Sequence, residues 1–93
     1  MNRLMNREDV YKVIDTERDF QDKHSGDLGR PDMLVQMSMG DLLGAIKVNV
    51  DKAYAAWYRD HGTYPNTTEF LRKVAALCVK SGEQFGMPHR LEE

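Results

Sequence analysis

Ninety-three residues make one domain, and a helical chain of that size gains from oligomerisation because it buries only a limited share of its surface. Apolar residues at 41% and charged residues at 30% are the balance of a soluble globular protein, and the formal net charge of -2 excludes a global attraction to nucleic acid or to an anionic membrane. A single cysteine, Cys78, excludes an internal disulfide; with no apolar run of transmembrane length and no signal peptide, the expected location is the cytoplasm.

In chain order, Met-Asn-Arg occurs twice in the first seven residues, and a frayed N-terminus is expected there. A helix is expected over 7–23. Asn6 suits its N-cap, and Glu8 and Asp9 suit the positive end of its dipole. Val10, Val13, Ile14 and Phe20 supply a thin apolar side that Glu17 and Gln21 continue. A carboxylate turned inward at Glu17 needs a partner or a ligand. Asp15, Asp19 and Asp22 share another face, where oxygen ligands for Mg²⁺ compete with a plain solvated surface beside Lys12 and Arg18. The solvated surface is the expectation, and no cofactor is assigned.

Gly26, Gly29 and Pro31 predict a loop over 24–37, to which Lys23, His24 and Arg30 bring cationic or titratable groups. Met33, Leu34, Val35, Met37 and Met39 form an apolar cluster expected to hold the loop down or to cover a neighbouring subunit.

The strongest signal predicts a helix over 39–60. Leu43, Ile46, Val50, Ala53 and Trp57 step by 3, 4, 3 and 4 along one stripe, which Leu42 and Tyr54 widen. Ser38 and Asp41 have capping-box spacing, and Gly62 is the expected C′ residue. Trp57 is expected to be largely buried.

After a turn containing Gly62 and Pro65, Asn66 or Thr67 is the expected cap of a helix over 68–85. Leu71, Val74, Cys78 and Phe85 repeat the helical spacing, Gly82 implies close helix approach or a bend, and Gly86 with Pro88 ends the run. Residues 87–93 form a tail. The expected fold is all-α: an antiparallel two-helix hairpin plus a shorter N-terminal helix, oligomerising into a helical bundle.

Catalytic motifs are scarce. His24, His61 and His89 lack metal-ligand spacing, and neither a nucleophile elbow nor a phosphate-cradling glycine motif is present. Lys47, Lys52, Arg59, Arg72, Lys73 and Lys80 cluster on the two longer helices, as a salt-bridged surface or as cations converging on an anion.

The run Glu17-Arg18-Asp19-Phe20-Gln21-Asp22, within Val10 to Lys23, resembles the start of small bacteriophage proteins with an ERD-aromatic-QD signature. Met39 to Leu43, Lys52 to Trp57 and Leu71 to Leu77 are similar to the rest of that group. More distantly, the group resembles MazG-type all-α nucleoside triphosphate pyrophosphatases, which hold Mg²⁺ with ExxE on one helix and ExxD on the next and work as dimers or tetramers. This chain departs from that pattern at the chemistry: Tyr54 stands three residues after Asp51, and Arg72 and Lys73 follow Glu69. Cations there repel a metal and still attract phosphate.

The resemblance thus implies a noncatalytic homo-oligomer that sequesters a nucleotide-like anion, such as a cyclic-nucleotide defence signal, in the host cytoplasm. Lys12, Arg18, Lys23, Arg72 and Lys73 would meet phosphates beside the inward Glu17, and Tyr11 or Tyr54 would stack on a base. Two alternatives stand beside it. One is a divergent Mg²⁺-dependent pyrophosphatase using Glu17, Asp19, Asp22 and Asp51; the other is a module that inhibits a host protein.

Overall fold

The computed structural model describes residues 4–91 apart from 28–35, and of residues 24–27 the backbone alone. The described residues form three helices and no strand: α1 (Arg7–Asp27), α2 (Met39–Arg59) and α3 (Pro65–Phe85). Each has 21 residues and is about 32 Å long at 1.5 Å per residue. None is long and apolar enough to cross a membrane.

The helix starts follow their local chemistry. Asn6 Oδ1 accepts from the Asp9 N–H at 2.8 Å, and Ser38 Oγ accepts from the Asp41 N–H at 3.0 Å. Each satisfies a backbone donor that the first turn leaves without an intrahelical acceptor.

Three boundaries differ from the sequence expectation. α1 runs through Gly26 to Asp27 instead of stopping at Lys23, so residues 24–27 are helix rather than loop. A glycine weakens a helix by about 1 kcal/mol but does not end one unless the backbone turns left-handed. α3 begins at Pro65, not at residue 68, with Tyr64 as its N-cap. Proline is at home at N1, where its missing N–H has no helical role. Asn66 and Thr67, the expected caps, instead tie the turn to α2: Asn66 Nδ2 donates to Asp60 Oδ2 at 3.0 Å, and Thr67 Oγ1 to the Ala53 carbonyl at 3.4 Å.

The third difference lies at the end of α2. Asp60 is the C-cap, His61 stands at C′ with φ of 56°, and Gly62 follows with φ of 83°. The Gly62 N–H donates to the Trp57 carbonyl at 3.0 Å and the His61 N–H to the Tyr58 carbonyl at 3.2 Å. These are the two bonds of a Schellman motif, with histidine where glycine was expected. α3 ends as expected at Gly86, which is its C-cap with φ of 79° and donates its N–H to the Gly82 carbonyl. Gly82 meets no other helix: a Cβ there would lie 3.5 Å from Met87 Cε, in ordinary contact with the chain's own tail.

α3 occupies the middle. It packs against α2 on one side and α1 on the other, and among the described residues α1 and α2 do not meet. Gln84 near the end of α3 exchanges two hydrogen bonds with the Met37 backbone ahead of α2. The result is a plate measuring 41 × 40 × 22 Å.

The core is small and rich in alanine: Leu42, Ala53 and Ala56 of α2 are buried, with Ala76 and Leu77 of α3. The buried side of α2 is therefore rotated from the expected stripe. Leu42, foreseen as its margin, is 0% exposed, while Leu43 is 58% and Trp57 42% exposed, so Trp57 is not largely buried within one chain. Alanines let two helices approach closely, and the larger side chains of the stripe then splay to one side. Met37 is half-buried and Met39 exposed; Met33, Leu34 and Val35 of the expected cluster lie outside the described residues.

The left-handed position of His61 costs about 1 kcal/mol relative to glycine. His61→Gly is expected to raise the thermal midpoint at fixed protein concentration, and Gly62→Ala to lower it by forcing a side chain into the same region. Equal midpoints for the two variants would contradict the motif.

Candidate functional site

The docking of α1 on α3 is made of charge. Among the described residues the buried polar side chains are Glu17 and Arg18 on α1 and Lys80 on α3. Arg72 Nε donates to Glu17 Oε1 at 2.6 Å. Arg18 spans the joint, Nε to Glu83 Oε1 and Nη1 to Asp22 Oδ1, both at 2.6 Å. Lys80 Nζ lies 3.8 Å from Asp22 Oδ1, and Arg72 Nη2 lies 3.7 Å from Glu69 Oε1. Gln21 Nε2 reaches the Lys73 carbonyl at 3.4 Å.

The helical repeat explains the grouping. Glu17, Arg18 and Gln21 share a side of α1 at spacings of one and four. Glu69, Arg72, Ala76, Lys80 and Glu83 climb one side of α3 in steps of three and four. Burial by itself lowers the Arg18 pKa, but the hydrogen bonds and charges of Asp22 and Glu83 outweigh it and leave the pKa raised. A raised pKa on an arginine means that its contribution is complete at every physiological pH and fades only in strong alkali.

Two apolar grooves open beside α3. The larger, about 700 Å³, lies between α1 and α3, with Val10, Val13 and Ile14 on one wall, Pro65, Leu71 and Ala75 on the other, and Glu69 and Arg72 at its edge. The smaller, about 380 Å³, lies between α2 and α3 and is lined by Val50, Ala53, Tyr54, Trp57, Thr67 and Leu71.

The structure brings Glu17, Arg18 and Arg72 together, as partners of carboxylates and cations rather than as open charges. Tyr11, Lys12 and Lys23 are exposed on α1 and line neither groove. Lys73 places its ammonium 5.2 Å from the centre of the Phe70 ring, a cation–π distance, and also lies outside both grooves. Tyr54 lines the smaller groove with its ring largely in solvent.

Of the acidic row on α1, Asp15 and Asp19 are exposed and Asp22 is engaged by Arg18 and Lys80. Among the described residues no three His, Cys, Asp or Glu side chains gather as a metal site would require. Asp22, Lys80 and Glu83 are the members of the charged joint that sequence reasoning did not place there. Lys80 carried a signal, since it follows Ala76 and Leu77 at helical spacing and so continues their buried side.

No protein-family model, curated protein or solved structure matches this chain.

The charged joint has an uneven stability profile. Arg72→Ala leaves Glu17 buried without its cation and is expected to cost about 3 kcal/mol. Glu83→Ala leaves Arg18 with Asp22 and removes a carboxylate already half in solvent, for about 1 kcal/mol or less. Urea unfolding of the two variants checks the order; a Glu83 effect equal to that of Arg72 would contradict it.

Proposed function

We propose that this protein is a noncatalytic binding protein of phage type, a homo-oligomer of helical hairpins that holds a nucleotide-like anion. The observation that carries the reading is Arg72 at the edge of the larger groove. Its side chain is 34% exposed, with Nε committed to Glu17 and Nη2 only loosely to the half-exposed Glu69. An incoming phosphate competes with Glu69 for that outer nitrogen and leaves the structural pair intact. The apolar walls accept a ring, and about 700 Å³ falls within the ~300–1,000 Å³ typical of small-molecule sites. The resemblance of Glu17 to Asp22 to the phage signature supports the same ligand class.

Catalysis is disfavoured by where the carboxylates point. The enzyme reading needs Glu17, Asp19, Asp22 and Asp51. Glu17 is paired with Arg72, Asp22 with Arg18 and Lys80, and Asp51 lies 3.6 Å from the Lys47 ammonium. Asp19 is exposed, and a cation beside each of the other three carboxylates opposes Mg²⁺. The apolar character of both grooves favours one second reading, a module that blocks a host protein by accepting a helix.

Mass spectrometry of small molecules released from the natively purified protein tests the ligand, followed by calorimetry with linear and cyclic nucleotides. The expected result is a retained nucleotide whose affinity falls with salt and about tenfold in Arg72→Lys, which keeps a cation for Glu17 but not the fork; tenfold is about 1.4 kcal/mol. No retained molecule and no nucleotide binding would overturn the ligand. Mg²⁺-dependent release of pyrophosphate would overturn the noncatalytic assignment.

A further inference from the structure

α3 holds its two neighbours by different means. On the side of α2, Leu42, Ala53 and Ala56 are buried, Gln84 exchanges two hydrogen bonds with the Met37 backbone, and Thr67 donates to the Ala53 carbonyl. α1 takes part in none of these bonds, and among the described residues it meets only α3. The side chains that α1 buries there are Glu17 and Arg18. Val10 and Val13 stay exposed and Ile14 is half-buried, because they wall the open groove instead of closing on α3.

Opening such a joint exposes little apolar surface. It returns Glu17, Arg18 and Arg72 to water, and their rehydration offsets much of the attraction lost. Undocked, α1 has little helical stability of its own. It contains no alanine, the β-branched Val10, Val13, Ile14 and Thr16 lie in its first half, and Gly26 is near its end. A segment with few buried apolar side chains and weak intrinsic helicity is the one that leaves a fold first.

We propose that α1 is a lid: it undocks from α3 as one unit while α2 and α3 stay packed together, and the Glu17–Arg72 pair is its latch. The larger groove, about 700 Å³, has Val10, Val13 and Ile14 of α1 as one wall, so it exists only while the lid is closed. The latch lies at the edge of that groove through Arg72. A ligand between the two walls gains its α1 contacts in the closed state alone and therefore shifts α1 toward that state. The opening stands on the packing; that it controls a ligand's entry rests on the ligand reading above.

Hydrogen exchange of the full chain under native conditions, read helix by helix by mass spectrometry, tests the proposal without any ligand. Glu17→Gln is the test variant: it takes the charge from the latch and leaves Arg72 beside Glu69. Asp15→Asn is the control, because it makes the same change of charge at an exposed position two residues away, on the other side of α1. Trp57 emission reports separately on α2, since Trp57 lines the smaller groove and no α1 residue does.

After correction for intrinsic rates, the wild-type α1 amides are expected to exchange roughly tenfold or more faster than those in the middle of α2 and α3. Glu17→Gln is expected to speed the α1 amides by about a further tenfold, the scale of a lost hydrogen bond to a charged group. It should leave α2, α3 and the Trp57 emission unchanged, and Asp15→Asn should change none of them. Equal exchange in all three helices, a Glu17→Gln variant that speeds α2 together with α1, or an Asp15→Asn effect as large as that of Glu17→Gln would each overturn the lid. No nucleotide takes part in this measurement, so its failure leaves the ligand reading standing, and the absence of a retained nucleotide leaves the opening of α1 standing.

Discussion

Glu17 and Arg72, 2.6 Å apart, decide whether the first helix belongs to the fold. α1 touches no helix but α3 among the described residues, and the side chains it buries there are Glu17 and Arg18. Its larger apolar residues Val10, Val13 and Phe20 remain partly or mostly in solvent. Removing a carboxylate and a guanidinium from water costs several kcal/mol each, and only close, well-directed pairing offsets it. Apolar surfaces tolerate sliding; a joint built of paired charges does not. One turn of displacement along α3 would set Glu17 against Glu69 or Ala76 in place of Arg72, so the pair fixes the register as well as the contact.

The rest of the architecture follows from α3 having to serve two different neighbours. Toward α1 it presents Arg72, Lys80 and Glu83; toward α2 it presents Thr67, Leu77 and Gln84. Close approach to α2 is helped by the small Ala53 and Ala56, and among the described residues Leu42 is the one large side chain fully enclosed. Burying alanine removes little apolar area from water, so a single chain derives modest stability from its core. The larger side chains of the α2 row lie beside that core rather than in it. This is the physical reason why the plate leaves Leu43, Tyr54 and Trp57 partly or mostly in solvent.

The helices themselves were legible in the sequence, because a cap such as Ser38 and a run of 3- and 4-residue steps are local signals. Glu17 was legible too: it continues the apolar side of α1, and the structure buries it against a partner. The partner's identity was not, because Arg72 is 55 residues away and nothing local links the two. The buried side of α2 was misjudged for a related reason. Periodicity weighted by hydrophobicity centres the stripe on Leu43 to Trp57; of that stripe Ala53 is buried, and the rest of the buried side is Leu42, at its margin, and the small Ala56 outside it. Glycine is the usual left-handed residue and so points to Gly62, yet the two hydrogen bonds of the motif set the count from Trp57 and put His61 first. Of the expected ligand contacts, Arg18 and Arg72 are engaged with carboxylates, a commitment that single-residue reasoning about cations does not anticipate.

A double-mutant cycle between Glu17 and Arg72 tests the central claim most directly. Glu17→Gln, Arg72→Ala and the double variant are unfolded in urea at one protein concentration, and the coupling energy is taken from the three differences. A pair that anchors α1 in a partly buried joint should give a coupling of about 1.5–3 kcal/mol, with the double variant more stable than Arg72→Ala alone because no buried carboxylate is left without its cation. A coupling within about 0.5 kcal/mol of zero would show that the two side chains act independently, and that α1 is held to α3 by something other than this ion pair.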